Sequence, residues 1–498
     1  MDVLKRIKAA KTDRDRHGTW LNEAMRLAMP TYRKVTGSSS PQDSYAEQDD
    51  LFDTTLQTVL EDFSSDMIST FTPRHERWVR FEPAEDLTEA EIKQVAPQLR
   101  AIEDSVFAEI ERSNYWDAAQ ECFSFWGVST MALALTARGP LEPLHFQPIE
   151  MPDLLIERGP DGSLTGRWRQ MRLDKMGLHI MWPEHFAAPG KQDKNKVSTV
   201  YEGCDRDYTM PGEERWNYRI FVDDKEVVKT NWTGAGSCPI IVCRFRQQSD
   251  SAWGPGPAHK AVPNARTLDE LAYLNLKALS RSVDPPGSYE EDGVINMEAG
   301  MTAGTWVPRA SGSKAPEPMK VEARFDALIF NVDALRQNIK KALYQDRPEQ
   351  PGDTPPTATQ WIDERTWNTR RRELPRDRCV REWVLPIIDR VVWIKSQRGE
   401  LPPVKLSGDR AVSIRPISPL SKAKDLEDMQ ITQQVLSLAN LVGQAVQQGI
   451  PVDTTATVNA LRATAKERHL IMLTPEQIQG AMAAAAQVGG MGDGAAAA

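Results

Sequence analysis

The chain has 498 residues, of which 40% are hydrophobic and 26% are charged, and its formal net charge at pH 7 is −9. This length allows a sizeable core in roughly two to four domains, and the acidic balance argues against a protein that coats nucleic acid, which is normally basic. No apolar run approaches the roughly 18 residues that a membrane span needs, and the charged N-terminal segment lacks the apolar core of a signal peptide. Secretion and membrane insertion are therefore not expected.

The first part of the chain is predicted to be mostly helical. Apolar residues recur at helical spacing in four segments, with one short strand between the second and third. Pro30 is expected to end the first of these helices. The predicted helices lie around Trp20–Ala28, Leu56–Ile68, Thr88–Arg112 and Tyr115–Gly127, and the strand lies at Trp78–Phe81.

The pattern changes to short strands from Met131 to Cys243. The stretches SLTGRWRQMRL and WNYRIFVDDKEVV alternate apolar and polar residues, which is typical of strands. The stretches ARGP, GPDGS and VDDKE supply turn residues between them. We therefore expect a mixed α/β region here.

Two amphipathic helices then flank an insert rich in proline and glycine. The first is predicted from about Pro263 to Arg281, with Pro263 in the first turn, where a proline is tolerated. The second is predicted from about Ala323 to Tyr344, and short strands and turns are expected between the two helices. The apolar face of the first helix comprises Leu268, Leu271, Ala272, Leu274 and Leu279.

The last third of the chain is expected to begin with a mobile loop, QDRPEQPGDTPPTAT. A long helical stretch is predicted from Thr359 to about Ser396, with kinks or breaks at Pro375 and Pro386. A returning strand pair is expected within Pro402–Leu420. From Lys422 the chain is predicted to be helical again, and it ends in an alanine-rich tail of low complexity.

One stretch, SAWGPGPAHKAVPNARTLDEL, raises the question of a phosphate-binding loop. Its GPGPAHK segment lacks the spacing of a P-loop and the Ser or Thr that should follow Lys260. Proline supplies no N–H group, so a proline-rich turn is a poor cradle for phosphate. We interpret Gly254, Pro255, Gly256, Pro257 and Pro263 instead as a stiff elbow that aims the following helix.

No other sequence motif indicates an enzyme. There is no H-E-x-x-H and no G-x-S-x-G, so we predict no catalytic residues, no cofactor and no metal. His179 and His185 have no helical ligand spacing. The acids Glu290, Glu291 and Asp292 are compatible with a nuclease metal site, but consecutive acids point in different directions, which favours a solvated charged turn.

Aromatic and thiol side chains have simple structural interpretations. The fourteen tryptophans suit base stacking, but most lie in apolar patterns and are more simply core or interface residues. None of the five cysteines belongs to a C-x-x-C pair, and their number is odd. We expect reduced, buried thiols in a protein made in the cytosol. The cysteines are Cys122, Cys204, Cys238, Cys243 and Cys379.

Several blocks of sequence, taken in order, resemble the portal or head-to-tail connector proteins of short-tailed bacteriophages. They cover about Leu51 to Gln430, and their order and spacing make the resemblance more specific than any one block. One departure is Gln360-Trp361, where an acidic-aliphatic pair is more usual. The blocks are LFDTTLQTVLEDFSSDMISTFTPRHERWVRF, SNYWDAAQECFSFWGVSTMALAL, CRFRQQSDSAWGPGPAHKAVPNARTLDEL, PPTATQWIDERTWNTRR, REWVLPIIDRVVWIKSQRGELPP and ISPLSKAKDLEDMQ.

The resemblance implies an α+β, mainly helical portal fold that assembles as a ring, usually of twelve subunits, around a channel. It implies an α/β wing, a two-helix stem, a small β-containing clip and a helical crown. The corresponding ranges are 1–256 for the wing, 257–281 and 323–344 for the stem helices, 282–322 for the clip, 345–356 for a channel loop, 357–419 for the rest of the wing, and 420–498 for the crown.

The implied function is a structural role in the virion: the portal at one capsid vertex, made in the host cytoplasm, through which the genome is packaged and ejected. The implied partners are other copies of the chain, the major capsid and scaffolding proteins, the terminase large subunit, tail adaptor proteins, and double-stranded DNA that passes without sequence-specific contacts. The alternatives are another virion structural protein, such as an adaptor or internal head protein, and a DNA-processing enzyme.

Two groups of charged residues are candidates for these contacts. The first group comprises basic residues of the stem helices and the channel loop, and its alternative interpretation is a solvated helix face with salt bridges between subunits to Asp269, Glu270 or Asp333. The clip range carries seven acidic and three basic residues, and its acids are expected to dock basic surfaces of the motor and adaptors. The DNA-channel candidates are Lys277, Arg281, Arg336, Lys340, Lys341 and Arg347, and the docking candidates are Glu290, Glu291 and Asp292.

Overall fold

A computed structural model gives the fold of this chain, which divides into two compact units, Met1–Pro416 and Ile417–Ala498. All described residues lie in the first unit, so the predicted crown lies outside them. The fold is α+β, as predicted. The described residues are 2–36, 50–74, 76–82, 89–139, 142–188, 197–210, 212–283, 287–288, 317–318, 325–346, 375–401 and 413–416.

The helices and strands of these residues follow the predicted order. The helices are α1 (Val3–Arg16), α2 (Gly18–Ala28), α3 (Thr55–Phe71), α4 (Glu89–Arg112), α5 (Tyr115–Val128), α6 (Lys175–Met181), α7 (Pro257–Val283), α8 (Phe325–Ala342) and α9 (Leu385–Gln397). The strands are β1 (Val79–Glu82), β2 (Thr130–Thr136), β3 (His145–Pro148), β4 (Leu154–Arg158), β5 (Leu164–Leu173), β6 (Ser198–Arg206), β7 (Arg215–Val222), β8 (Lys225–Thr233), β9 (Ile240–Arg244), β10 (Gly287–Ser288), β11 (Glu317–Pro318) and β12 (Ser413–Pro416).

The region predicted as mixed α/β forms two antiparallel sheets. One has the strand order β3-β2-β9, and the other is a meander in the order β4-β5-β6-β7-β8. The β7–β8 hairpin turns at Asp223 and Asp224, which have φ values of 47° and 65°. Two positive φ angles at the centre of a two-residue turn match the twist of the flanking strands, so the VDDKE turn signal is confirmed.

The main hydrophobic core surrounds α5, whose aromatic side chains are buried on several faces. Phe123, Phe125 and Trp126 have no exposed surface, and α3, β2 and the first half of α7 pack around them. A smaller core lies where α1 crosses the five-stranded sheet, with Ile7 against Trp168. The helix α5 therefore lies at the centre of the packing among α2, α3, β2, β3 and α7.

The structure corrects the predicted start of the first helix of the pair. The helix α7 begins at Pro257, so Pro263 lies inside it and not in its first turn. Pro257 occupies the position where a missing N–H costs nothing, which is why the helix begins earlier than the apolar stripe indicates. The second helix, α8 (Phe325–Ala342), lies within its predicted bounds, and the short pair β10–β11 lies between the two helices.

Of the long helix predicted from Thr359, residues 359–374 lie outside the described residues, so only Pro386 of the two predicted kinks has both flanks described. Residues 375–379 are helical, and Val380–Val384 is a π-helical segment that ends two residues before Pro386. The Leu385 N–H bonds to the Val380 carbonyl, which adds one residue to the turn. Because Pro386 has no N–H to offer, this wider turn accommodates it without ending the helix.

The strand β12 completes the described unit by pairing antiparallel with β1, which lies more than 300 residues earlier. Its presence agrees with the predicted return of the chain to a strand, and its partner among the described residues is β1. Residues 402–412, the other half of the predicted strand pair, lie outside the described residues. Of the described helices, none is long and apolar enough to cross a membrane.

Candidate functional site

The elbow at the start of α7 is held tightly against the C-terminal end of α5. The Gly256 N–H donates to the Val128 carbonyl over 2.9 Å. A Cβ atom at Gly256 would lie 2.5 Å from the Val128 carbonyl carbon and 2.6 Å from its oxygen, which is closer than real Cβ atoms approach. A glycine is therefore required here. Because the Gly256 N–H is occupied and Pro255 and Pro257 have none, the elbow lacks the donors of a phosphate loop.

Gly254 makes a second close backbone approach. The Ser129 hydroxyl donates to the Gly254 carbonyl over 2.8 Å, and both groups are buried. A Cβ atom at Gly254 would collide with the Arg246 carbonyl oxygen. The two glycines thus fix the chain on opposite sides of the turn, one against α5 and the other against the segment after β9.

The stretch before the elbow is tied to the end of α1. The Ser251 hydroxyl bonds to the Asp13 carboxylate over 3.1 Å and lies 2.8 Å from the His17 ring nitrogen. Trp253, which follows, has no exposed surface. Inside α7, His259 contacts the Trp20 ring edge-on with centroids 5.0 Å apart, and burial lowers the pKa of His259. The start of α7 is therefore held in place by contacts with α1, α2 and α5.

The two halves of α7 have different surroundings. In its first half, Ala258, Ala261, Ala265 and Leu268 are buried in the main core. In its second half, Leu271 and Ala272 are half-buried, and the four large apolar side chains that follow them are exposed. Their exposed fractions are 42% for Tyr273, 49% for Leu274, 55% for Leu276 and 55% for Leu279. A helix of 27 residues is about 40 Å long, so roughly half of this length presents apolar groups to solvent.

A short segment before α3 binds the middle of this helix pair. The Asp269 carboxylate of α7 accepts hydrogen bonds from the backbone N–H groups of Phe52, over 2.7 Å, and Asp53, over 3.1 Å. The Phe52 and Tyr273 rings lie 5.0 Å apart. On α8, the Arg336 guanidinium lies 3.6 Å from the Asp53 carboxylate. Asp269 therefore has partners within its own chain.

The structure describes the side chains of only some of the basic residues that are predicted to line the channel. Lys277 is exposed on α7, with its ammonium group 5.7 Å from the centre of the Tyr273 ring. On α8, Arg336 is about half-exposed and pairs with Asp53, and Lys340 and Lys341 are exposed. Arg281 lies on the last turns of α7, but its side chain is outside the described part. Arg347 and the docking candidates Glu290, Glu291 and Asp292 also lie outside the described residues.

Several side chains that could bind metal or stack on bases lie among the described residues. No group of three or more His, Cys, Asp or Glu side chains among them is arranged to hold a metal ion. The ring of His179 bonds to the Phe186 backbone carbonyl over 2.7 Å. Six tryptophans belong to the fully buried core, which confirms the structural interpretation for them. They are Trp78, Trp126, Trp168, Trp216, Trp253 and Trp383.

Sequence reasoning missed a half-open cavity of about 600 Å³ between α4 and the end of α9. Its wall carries an ion-pair network in which Glu109 binds both Lys395 and Arg398, and Glu400 lies 3.3 Å from Lys395. Glu109 and Lys395 are almost 290 residues apart in sequence, so no local pattern predicts their pairing. The two acids and two bases of this network balance, and Arg112 adds one further positive charge to the wall.

Comparison with known proteins gives one family match and two structural similarities. The family model of the bacteriophage head to tail connecting protein matches residues 1–466. No sequence among the curated proteins matches. A chain from the virion of a native gene transfer agent (GTA) particle has 13% identity over 86% of this chain and 93% of its own, with a TM-score of 0.36.

A chain from the neck of an empty GTA particle, computed with C6 symmetry, has 15% identity over 80% of this chain and 94% of its own, with a TM-score of 0.35. Similarity at these TM-scores does not determine how the present chain assembles. The family match covers nearly all of the sequence and agrees with the resemblance of the sequence blocks. The chain therefore belongs to the family of bacteriophage head to tail connecting proteins, and its role is a structural one in the virion.

Proposed function

We propose that this chain forms a homo-oligomeric ring, the portal at one capsid vertex, through which the genome is packaged and ejected. Twelve copies are the number that the family resemblance implies. The observation that carries the proposal is the exposed apolar second half of α7, beyond Leu268. A structural virion protein with such a surface needs a partner that covers it.

The physical reason lies in the size and rigidity of this surface. Contiguous exposed apolar patches are rare on soluble monomers and mark interaction sites. Tyr273, Leu276 and Leu279 follow one another at i, i+3 spacing and so share one side of the helix. They are each 42–55% exposed, and they belong to a helix whose first half is fixed in the core. We propose that the elbow Gly254–Pro257 sets the angle of α7, so that every copy presents this face at one tilt. A repeated head-to-tail contact closes into a ring when the rotation between neighbouring copies divides a full turn evenly, and we propose that the fixed tilt of α7 sets this rotation.

A DNA conduit also requires weak contacts with the duplex. Each firm phosphate contact adds affinity through counterion release, which would oppose sliding. We propose that Lys277, Lys340 and Lys341 face the channel, together with Arg281 and Arg347, whose side chains are not described. Arg336 contributes less, because its charge is already opposed by Asp53. The net charge of −9 is consistent with a channel that does not grip DNA.

The remaining partners follow from the proposed place in the particle. We propose that Glu290, Glu291 and Asp292 dock basic surfaces of the terminase large subunit and later of tail adaptor proteins. The major capsid and scaffolding proteins would contact the outer face of the ring. Reversal of these three acids to lysine should weaken adaptor pulldown while rings persist, and unchanged pulldown would remove this part of the proposal.

The assembly itself is tested by electron microscopy of the purified full chain and of two matched variants. The Leu276→Glu change places a charge in the exposed face of α7, and we expect rings in the wild type and dissociated subunits in the variant. The Ile180→Glu change is the control, because Ile180 lies on α6 and is 71% exposed. It should leave rings intact. Equal assembly of both variants would exclude the α7 face as the subunit contact.

The same images separate the proposal from its alternatives. A compact monomer with Mg²⁺-dependent cleavage of DNA would indicate a DNA-processing enzyme. A discrete particle without an axial hole would indicate an adaptor or an internal head protein. Only a closed ring with an axial hole supports the portal.

A further inference from the structure

A serine, an aspartate and a histidine meet where the stretch before the elbow touches the end of α1. The Ser251 hydroxyl lies 2.8 Å from Nε2 of His17 and bonds to the Asp13 carboxylate over 3.1 Å. The backbone N–H of Trp253 donates to the same hydroxyl over 3.0 Å. These are the residue types of a hydrolase triad, but a triad places the histidine between the acid and the serine. Here the serine lies in the middle and is only 4% exposed, so the cluster is not arranged for nucleophilic attack.

The partners of the His17 ring determine where its proton lies. The Trp20 indole N–H donates to Nδ1 of His17 over 3.2 Å. An indole N–H can only donate, so Nδ1 carries a lone pair and the single proton of the neutral ring is on Nε2. The Nε2–H group then donates to the Ser251 hydroxyl, whose own proton goes to the Asp13 carboxylate. One assignment of protons thus satisfies these three bonds.

A protonated His17 ring cannot make the same set of contacts. The imidazolium ring has an N–H group at both nitrogens and no acceptor, so its Nδ1–H would point at the Trp20 N–H. The bond from Nε2 to Ser251 survives, because it uses the N–H group that the neutral ring already has. Protonation therefore breaks the contact with Trp20 and keeps the contact with Ser251.

The contact that protonation breaks belongs to a side chain that packs on the start of α7. The Trp20 ring contacts two imidazole rings edge-on, with centroid distances of 6.0 Å to His17 and 5.0 Å to His259 on α7. His17 is also the one residue between α1, which ends at Arg16, and α2, which begins at Gly18. Its ring therefore connects the junction of α1 and α2 with the stretch that leads into α7.

Other titratable and charged groups lie on the elements around this cluster. The Asp13 carboxylate also accepts from the backbone N–H of Ala252 over 3.3 Å, and partial burial lowers the pKa of His259. The rest are paired or exposed: Arg14 with Asp15, Glu23 with Arg266, and the exposed Arg16, Asp250 and Lys260. None of these described groups binds the Trp20 N–H, so that bond depends on the protonation of His17.

We propose that His17 is a pH-sensitive latch for the start of α7. When the ring is neutral, it accepts the Trp20 N–H and holds the indole against His259. When the ring is charged, the Trp20 N–H loses its acceptor, and the first turns of α7 are held less tightly. The change falls in the range in which histidine side chains take up a proton, roughly pH 5 to 8. All of these contacts lie within one chain, so the latch does not rest on the proposed ring.

The test is hydrogen–deuterium exchange of the purified full chain at about pH 7.5 and about pH 5.5, measured by mass spectrometry. The peptides of interest cover residues 251–266, and peptides from α9 serve as the internal reference. Protection factors correct for the effect of pH on chemical exchange. In the wild type, protection of residues 251–266 should fall about twofold to tenfold at the lower pH, because one hydrogen bond is lost. Protection of α9 should stay constant.

Two substitutions of His17 fix the latch in its two states. The amide of His17→Gln offers both an acceptor and a donor but takes up no proton, so protection should stay high at both pH values. The guanidinium of His17→Arg has only donors and is always charged, so protection should be low at both. The His259→Gln control should keep the pH dependence of the wild type. The inference is overturned if the wild type shows no local change, if α9 loses protection equally, if His17→Gln keeps the pH dependence, if His17→Arg is as protected as the neutral wild type, or if His259→Gln abolishes the effect.

Discussion

Replacing Gly256 with alanine tests the elbow most sharply, because the clash is with backbone and not with a flexible side chain. The new Cβ would lie 2.5 Å from the Val128 carbonyl carbon and 2.6 Å from its oxygen. The elbow must move away from α5, which lengthens the 2.9 Å hydrogen bond from the Gly256 N–H to the Val128 carbonyl. Both groups are buried, so solvent does not replace the lost bond.

The magnitude follows from these two effects. Loss of one buried hydrogen bond costs about 1 kcal/mol, and overpacking a tight site costs about 1–3 kcal/mol. We therefore expect Gly256→Ala to lower the free energy of unfolding by about 2–4 kcal/mol. The assay is thermal unfolding followed by tryptophan fluorescence, since the buried Trp126 and Trp253 lie on the two sides of the elbow. The Tm should fall by several degrees.

The matched control is Pro255→Ala in the same turn. It removes only the stiffness of the proline ring, for which we expect a loss of about 0.4–1 kcal/mol through the unfolded chain. A Gly256→Ala variant that unfolds at the same temperature as Pro255→Ala would refute the close approach of the elbow to α5.

Two further predictions concern charge. Glu109→Gln leaves the buried Lys395 with weaker partners, so thermal unfolding should show that the free energy of unfolding falls by about 3 kcal/mol. The control Glu213→Gln changes an exposed ion pair and should lower it by less than about 1 kcal/mol. Equal losses in the two variants would contradict the burial of the network. Burial, and then the charge of Glu214, raise the pKa of Asp389 from 3.8 to about 6. The folded state therefore holds this proton more tightly than the unfolded chain does, and it loses stability as the pH rises from about 4 to above 6. Asp389→Asn should remove this pH-dependent loss. The Tm of the variant minus the Tm of the wild type should therefore increase between about pH 4 and pH 6. A Tm difference that does not change with pH would contradict the raised pKa of Asp389.

The order of helices and strands is well predicted from sequence, because apolar spacing and turn residues are local signals. The hairpin turn at Asp223 and the helix α5 are examples. The boundary errors come from proline. Pro263 fits a helix start equally well by sequence, but Pro257 is the first-turn residue. At Pro386 the sequence predicts a kink or break, and the α-helical pattern is interrupted just before it by the π-helical segment Val380–Val384.

What the sequence does not predict depends on contacts between distant residues. The pairing of β1 with β12 and the ion pair between Glu109 and Lys395 each join segments hundreds of residues apart. The cysteines are predicted to be buried, and all five are. The bonds from Arg390 to the Gly236 and Ser237 carbonyls, however, follow only from the packing of α9 on the loop before β9. The sequence predicts the apolar stripe of α7, whereas the exposure of its side chains beyond Leu268 follows only from the folded structure.

The most direct test of the proposed ring is the mass and shape of the purified wild-type chain, measured together by native mass spectrometry and electron microscopy. We predict a single closed ring of many copies with an axial hole, and its loss in the Leu276→Glu variant but not in the Ile180→Glu variant. A wild-type chain that remains monomeric at micromolar concentration, with the apolar face of α7 still exposed, would contradict the proposal.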